Sequence, residues 1–392
     1  MLKKLALACA GLLLLVLSVP VASCSSNSGT IKIGSVMDLT GALADMGGLI
    51  SDGVKLAVTQ INAAGGINGH QVELFTEDGA TDATISFTAF KKLAEVDGCK
   101  VIIGPMTSGA VKACADYALQ NKILLISPSA TSTDIANQAY RQFVFRTAAT
   151  DNLQGQAMAK LITDGGYKKV AILVVNNAYG TGLASVISAQ LAGKATIVAN
   201  LTYDQNKLDY LTELQTIKTA APDCVVHVGY GDDADVVYKQ ALQLGLTTAQ
   251  WIASEGVYAD KTISVAEAAQ FMASSLIGTR PTAPEGSTVN ATFTAAFKAA
   301  YTSAPGSYSD TAYDAINLAM NAMKVAGTTD TTKIAAEVLK EAKAYPGASG
   351  AITLASNGDR VSGDYEVWKV VKSGSTYAYA RVKVIWAIGL GS

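Results

Sequence analysis

Side chains able to recognise a small charged molecule follow one apolar run after another in this 392-residue chain. After 101–103 stands Gly104-Pro105-Met106-Thr107-Ser108-Gly109, and after 123–126 stands Ser127-Pro128-Ser129-Ala130-Thr131. The runs 170–175, 224–228 and 250–253 lead into Asn176-Asn177-Ala178-Tyr179-Gly180, Gly229-Tyr230-Gly231-Asp232-Asp233 and Ser254-Glu255-Gly256. Ser108 opens a helical pattern, where its hydroxyl and free backbone N–H groups could bind a carboxylate; the same position suits a plain N-cap. Thr131 and the Ser129 carbonyl could add a hydroxyl and an acceptor, or belong to a Ser-rich turn. Glu255, if buried, needs a cation or donors to offset its desolvation, and a substrate ammonium would supply one. A solvated loop glutamate would need neither. Tyr179 and Tyr230 carry an apolar face and a hydroxyl tip, fit either to close over a ligand or to sit in a core.

Catalytic signatures are missing. His70 lies in the turn Asn68-Gly69-His70 and His227 inside an apolar run, too far apart for a local metal motif. There is no Cys-x-x-Cys, His-Glu-x-x-His, phosphate-cradling glycine loop or Gly-x-Ser-x-Gly elbow. The expectation is a binding protein with no enzymatic activity, cofactor or metal.

Elements must bring these clusters together. From Thr30 onward short β-branched runs alternate with longer helical patterns, the sequence sign of parallel α/β structure. Strands are expected at 31–36, 72–76, 101–103 and 123–126, with helices at 48–64, 83–96 and 109–120. A second series follows: a helix at 153–164 and strands at 170–175, 197–201, 224–228 and 250–253. The runs 170–175 and 224–228 are almost wholly apolar, as in sheets covered on both faces. In such sheets ligands sit beyond the carboxyl ends of the strands, where the polar clusters fall. Connectors of small and turn residues at 147–151, 278–281 and 356–363 suggest three passages between two lobes.

The chain is long enough for two lobes of ordinary size. Its net charge is −2, with no basic block, which argues against nucleic acid as a partner. Sixteen tyrosines among few aromatics suit recognition of small polar molecules. Lys3 and Lys4, the uncharged apolar run 5–19 and Val21-Ala22-Ser23-Cys24 resemble a bacterial lipoprotein signal, with Cys24 as the lipidated first residue of the mature chain. An uncleaved anchor helix is the alternative reading of the same apolar run; both place the globular part on a membrane outside the cytoplasm, periplasmic or at the cell surface. The expected division is a signal at 1–23, a tether at 24–29, an amino-terminal lobe of 30–147 plus 281–356, and a carboxyl-terminal lobe of 151–278 plus 362–392. Cys99 and Cys114 could form a bridge; equally, Cys99, Cys114 and Cys224 could be small buried apolar residues.

Lys32-Ile33-Gly34, Ala64-Gly65-Gly66-Ile67-Asn68-Gly69, Ile103-Gly104-Pro105, Ile126-Ser127-Pro128-Ser129-Ala130-Thr131, Phe145-Arg146-Thr147 and Asn357-Gly358-Asp359-Arg360 occur in order along the chain. Together they resemble the branched-chain amino acid binding proteins of ABC importers. That resemblance implies the type I periplasmic binding protein fold: α/β, two Rossmann-like lobes joined by three crossovers. It also implies a monomer that hands its ligand to permease subunits. It further implies that Ser108 and Thr131 hold the ligand carboxylate. The Ser129 carbonyl, the Thr131 hydroxyl and Glu255 would hold the ammonium, Tyr179 and Tyr230 would complete the site, and Asp151 would stand beside it. Met46, Met106, Thr107 and Tyr308 fall where such proteins line the side-chain pocket. Met46 in place of an aromatic, with Asp45, Asp232 and Asp233 nearby, argues against a purely aliphatic preference. Alternatives within the fold are a binder of an amide, urea or small carboxylate, or a sensory module.

Overall fold

In the computed structural model, which describes residues 29–136 and 142–388, the alternating pattern becomes two sheets with helices on their faces. The first lobe runs β1 (Ile31–Met37), α1 (Ala44–Ala63), β2 (Val72–Asp78), α2 (Ala83–Glu95), β3 (Val101–Ile103), α3 (Ser108–Gln120), β4 (Leu124–Ser127) and β5 (Val144–Arg146). The second runs α4 (Asp151–Asp164), β6 (Lys169–Val175), α5 (Ala178–Leu191), β7 (Thr196–Tyr203), α6 (Leu211–Ala220), β8 (Cys224–Val228), α7 (Gly231–Gln243), β9 (Gln250–Ala253), α8 (Asp260–Ser264), α9 (Ala266–Ser275) and β10 (Leu276–Thr282). The chain then returns to the first lobe as α10 (Thr288–Tyr301), α11 (Ser309–Ala326), α12 (Thr331–Glu341) and a hairpin, β11 (Lys343–Gly347) and β12 (Gly350–Thr353). It ends in the second as β13 (Gly363–Ser373) and β14 (Thr376–Ile388).

Both sheets share one plan. The first has the order β2-β1-β3-β4-β5, all parallel. The second is β14-β13-β10-β9-β8-β6-β7, parallel from β7 to β10, with β13 and β14 antiparallel at its edge. Strand order therefore reverses between β1 and β3 in one lobe and between β6 and β8 in the other. Crevices at such reversals, beyond the strands' carboxyl ends, are where ligands bind. β8 is buried along its whole length and β6 everywhere except Lys169, as helices on both faces require.

The differences from the sequence reading are local. Helix α1 begins at Ala44, so Leu43 and Met46 stand at its start, whereas periodicity alone begins it at 48. Past 253 periodicity defined no elements, and there the structure adds β10, the helices α8–α12 and two hairpins. The first passage between lobes is 147–150 and the third 354–362. The second lies at 283–287, later than the expected 278–281, because Pro281 and Thr282 still pair with Tyr365 and Asp364 in the second sheet. Ala149 and Leu354 each bridge to Arg360, which brings the first and third passages together.

Cys99, Cys114 and Cys224 are free and fully buried, so of the two readings the apolar one holds. Burial pushes the thiols of Cys99 and Cys114 up to about 12, which leaves them as protonated core side chains. The signal at 1–23, the tether up to 28 and Cys24 lie outside the described residues. Among the described residues no helix is long and apolar enough to cross a membrane.

Candidate functional site

The loops after β3 and β4 are built as one unit. Ser127 Oγ donates to the Pro105 carbonyl at 2.6 Å and accepts from the Ala130 N–H at 3.1 Å, and Ser129 Oγ donates to the Met106 carbonyl at 3.0 Å. Ser108 Oγ accepts from the Ser132 N–H at 3.1 Å, so the first turn of α3 is tied to the loop that carries Thr131. The N-cap is Thr107, whose hydroxyl accepts from the Ala110 N–H at 3.4 Å; Ser108 is the first helical residue and not the cap. Arg146 fixes the same loop from beneath. It donates to the carbonyls of Ala130 at 3.3 Å and Ser132 at 2.7 Å, and pairs with Asp359 of the third passage through Nε at 2.7 Å. Phe145-Arg146-Thr147 and Asn357-Gly358-Asp359-Arg360 thus meet in space: Arg360 donates to the Thr147 carbonyl at 3.0 Å.

Glu255 stands opposite, in the second lobe, 3% exposed. Its Oε1 accepts from Tyr179 at 2.9 Å and from Tyr308 at 3.1 Å, and its Oε2 accepts from Gln154 Nε2 at 2.5 Å. Tyr308 belongs to the first lobe, so its bond spans the cleft. It holds φ 66° and ψ 3°, a left-handed conformation uncommon for a tyrosine, and Thr311 Oγ1 braces it by donating to the Tyr308 carbonyl at 2.9 Å. Burial raises the Glu255 pKa above the usual carboxylate range, with Gln154, Tyr179 and Tyr308 pulling it back. Tyr179 and Tyr230 stack at 5.8 Å between centroids, and Tyr230 Oη accepts from Asn177 Nδ2 at 3.1 Å.

These groups enclose one narrow cavity of about 30 Å³, room for a water molecule or so. Met46, Met106, Thr107, Ser108, Ser129, Thr131 and Tyr308 wall it from the first lobe, and Tyr179, Tyr230 and Glu255 from the second. A ligand of amino acid size would therefore enter with the lobes apart and be covered when they close. Asp151 is placed differently from the other expected residues. It is fully buried at the start of α4, outside the cavity wall, and its N–H donates to the Thr131 carbonyl at 2.9 Å. Both of its carboxylate oxygens are shut away from water. Burial first, and then the charge of Glu255, push its pKa up to about 8; the Thr131 hydroxyl and Arg146 act the other way.

Three wall or support residues escaped sequence reasoning. Leu43 lines the cavity just before α1. Gly256 lies against Tyr230, where a Cβ would come within 2.3 Å of the Gly229 carbonyl oxygen, so only glycine fits. Gln154, which orients Glu255, sits one helical turn after Asp151 on α4, a spacing that could have exposed it. Asp233 does not face the pocket as expected. Its Oδ1 accepts from the Asn206 N–H at 2.8 Å and the Tyr210 hydroxyl at 2.6 Å inside the second lobe. Asp232 pairs with Lys261 at 2.7 Å, and both, with Asp45, line a neighbouring cavity of about 110 Å³ at the cleft mouth.

Comparison with known proteins gives this geometry a family. A leucine-, isoleucine-, valine-, threonine- and alanine-binding protein of Pseudomonas aeruginosa is 29% identical over 350 residues, 89% of this chain and 92% of its own length. A Leu/Ile/Val-binding protein of Escherichia coli is 29% identical over 288 residues, 73% of this chain and 77% of its own length. Among solved structures, the branched-chain amino acid transporter substrate-binding protein LivJ of Streptococcus pneumoniae, in complex with isoleucine, superposes with a TM-score of 0.78 at 25% identity. That match covers 90% of this chain and 99% of the other. The family profile described as periplasmic binding protein matches residues 30–375, and this two-lobed chain, with its walled cleft, belongs to that family.

Proposed function

We propose that this chain captures an amino acid, branched-chain or otherwise hydrophobic, outside the cytoplasm and delivers it to an ABC permease, with a lipid on Cys24 holding it at the membrane. One observation carries the ligand class. Glu255 is a buried carboxylate with three hydrogen-bond donors and, among the described residues, no cationic partner, in a cleft that two lobes close. A ligand ammonium supplies the missing charge. The Thr131 hydroxyl and the Ser129 carbonyl complete the ammonium site. Ser108 and the first turn of α3 receive the carboxylate, where free N–H groups and the helix dipole favour an anion. Met46, Met106, Thr107 and Tyr308 face the side chain, and the stacked pair Tyr179 and Tyr230 covers it. No bond is made or broken. Two lobes, 30–146 with 288–353 and 151–282 with 363–388, turn on the three passages. The leucine-class ligands of the Pseudomonas relative and the isoleucine of the Streptococcus structure support the same reading.

The experiment is a melting-shift series of the ligand-stripped protein against all proteinogenic amino acids. A ligand at 100 to 1,000 times its Kd should stabilise by about 3–4 kcal/mol. A shift confined to leucine, isoleucine, valine and similar residues is the expected outcome. No shift with any amino acid would reject the assignment in favour of an amide or carboxylate ligand.

A further inference from the structure

The closed cleft contains more negative charge than a zwitterionic ligand can balance. Asp151 and Glu255 are both buried and near enough for their charges to interact. A neutral amino acid brings one ammonium for the two of them, together with a carboxylate of its own. Among the described residues, the groups facing the pair from each packed element add no free cation. Arg146, from β5, is engaged by Asp359 and by the carbonyls of Ala130 and Ser132. Asp134, after the 130–132 loop, bears on Asp151 as a further negative charge and pairs outward with Lys112 at 3.3 Å. The remaining neighbours are the Gln154 amide of α4 and hydroxyls: Thr131, Tyr179 of α5, Tyr230 after β8, Tyr308 before α11 and Tyr365 of β13.

Within the pair, the two carboxylates are treated differently. Glu255 receives three donors, as an ionised group requires, while Asp151 has both oxygens shut away from water and only the Thr131 hydroxyl beside it. An ionised carboxylate so poorly solvated is among the least favourable groups to bury. A protonated one is neutral and can itself donate.

We infer that the closed cleft holds one proton on the Asp151–Glu255 pair, chiefly on Asp151, taken up as the lobes close, so that ligand capture consumes a proton and weakens as pH rises. In the open form both carboxyls meet water and ionise near their ordinary values. The proton belongs to the pair as a unit, since the two titrations are coupled. The elevation of Asp151 to about 8 agrees with this arrangement. The inference rests on the amino acid reading above and makes Asp151 a neutral positioning group beneath Thr131, not a counter-ion to the ligand.

The test uses the full chain in detergent and has two arms. In the first, leucine is titrated calorimetrically into wild type and Asp151→Asn from pH 6 to 9, in buffers of differing ionisation enthalpy. Wild type should take up close to one proton per leucine near neutral pH, its Kd climbing toward tenfold per pH unit there and levelling off above about 8, where the closed form also loses the proton. Asp151→Asn should show only the titration of leucine's own ammonium, common to both proteins. Equal slopes for the two, or Asp151→Asn weaker than wild type by a constant factor at every pH, would overturn the inference, the second because it marks an ionised ammonium partner. In the other arm, infrared difference spectra of wild type against Asp151→Asn at pH 7 should contain the C=O band of a buried carboxylic acid. With leucine bound and the lobes closed, a carboxylate band alone overturns the inference. Absence of binding by every amino acid, with the acid band present, would reject the ligand reading and leave the proton in place.

Discussion

At the residue scale the site is a set of hydrogen bonds that serve two purposes each, packing the apo protein and receiving a ligand. Ser108 is the clearest case: its hydroxyl tethers the Ser132 N–H and also lines the cavity. Ser108→Ala should leave that buried N–H unpartnered and lower stability by about 1–3 kcal/mol. Binding should weaken as well, though less than on loss of Glu255, because backbone donors at the start of α3 remain; denaturant melts and ligand titrations read both effects. Tyr308→Phe removes the one donor that reaches Glu255 from the opposite lobe. It should weaken binding by roughly 1.5–3 kcal/mol, the range for a hydrogen bond to a charged group, with little change in the unfolding of the second lobe. Residue types after strands were enough to nominate Ser108, Thr131, Tyr179, Tyr230 and Glu255. Gly256 was not legible, since one glycine among 35 carries no mark of which neighbour it serves, whereas Gln154, in the first turn of α4, could have been found from its spacing to Asp151. Asp233 misled because adjacency to Asp232 in sequence says nothing about facing: consecutive helical residues point about 100° apart.

At the element scale, the loops after β3 and β4 depend on a clamp from the far end of the chain. Arg146, 1% exposed, joins the 130–132 loop to Asp359, and Arg360 returns the contact to Thr147. Asp359→Ala would leave the Arg146 charge buried without its partner, at a loss of about 3–5 kcal/mol. The expected outcome is a lowered denaturation midpoint together with weaker ligand binding, because Thr131 loses its support; a loss of stability with binding intact would show that the clamp serves folding alone. Parallel strands such as β6 and β8 were legible from their unbroken apolar runs, since both faces are covered. The start of α1 was not, because Leu43 and Met46 line the cleft as well as touching the core, which blurs the helical period where function intervenes. The antiparallel strands β13 and β14 were also missed: charged residues such as Glu366, buried against Arg280 and Arg381, interrupt the apolar pattern.

At the scale of the molecule, buried ionisable groups set how stability follows pH. Burial pushes Asp38 up to about 7 and Asp314 up to about 6, from 3.8 in the unfolded chain. The folded state therefore holds protons that the unfolded state has lost, and this stabilisation, full below pH 3.8, fades as pH rises through 6 and 7. Burial lowers His227 from 6.5 to about 3, so its unfolded form gains a proton first and stability also falls as pH drops below 6.5. From these three groups, denaturant unfolding across pH should show a maximum near pH ~4, and Asp38→Asn should flatten the alkaline limb while leaving the acid limb unchanged. The two-lobed plan was legible because the βα alternation occurs twice and turn-rich connectors interrupt it. The ligand class rests on the counter-charge that Glu255 lacks, and the direct test is calorimetric titration of wild type and Glu255→Gln with leucine and with its des-amino analogue, 4-methylpentanoate. Wild type should bind leucine and not the analogue, and Glu255→Gln should lose roughly 2–5 kcal/mol of leucine affinity. Equal affinity for the analogue, or unchanged leucine affinity in Glu255→Gln, would contradict the account.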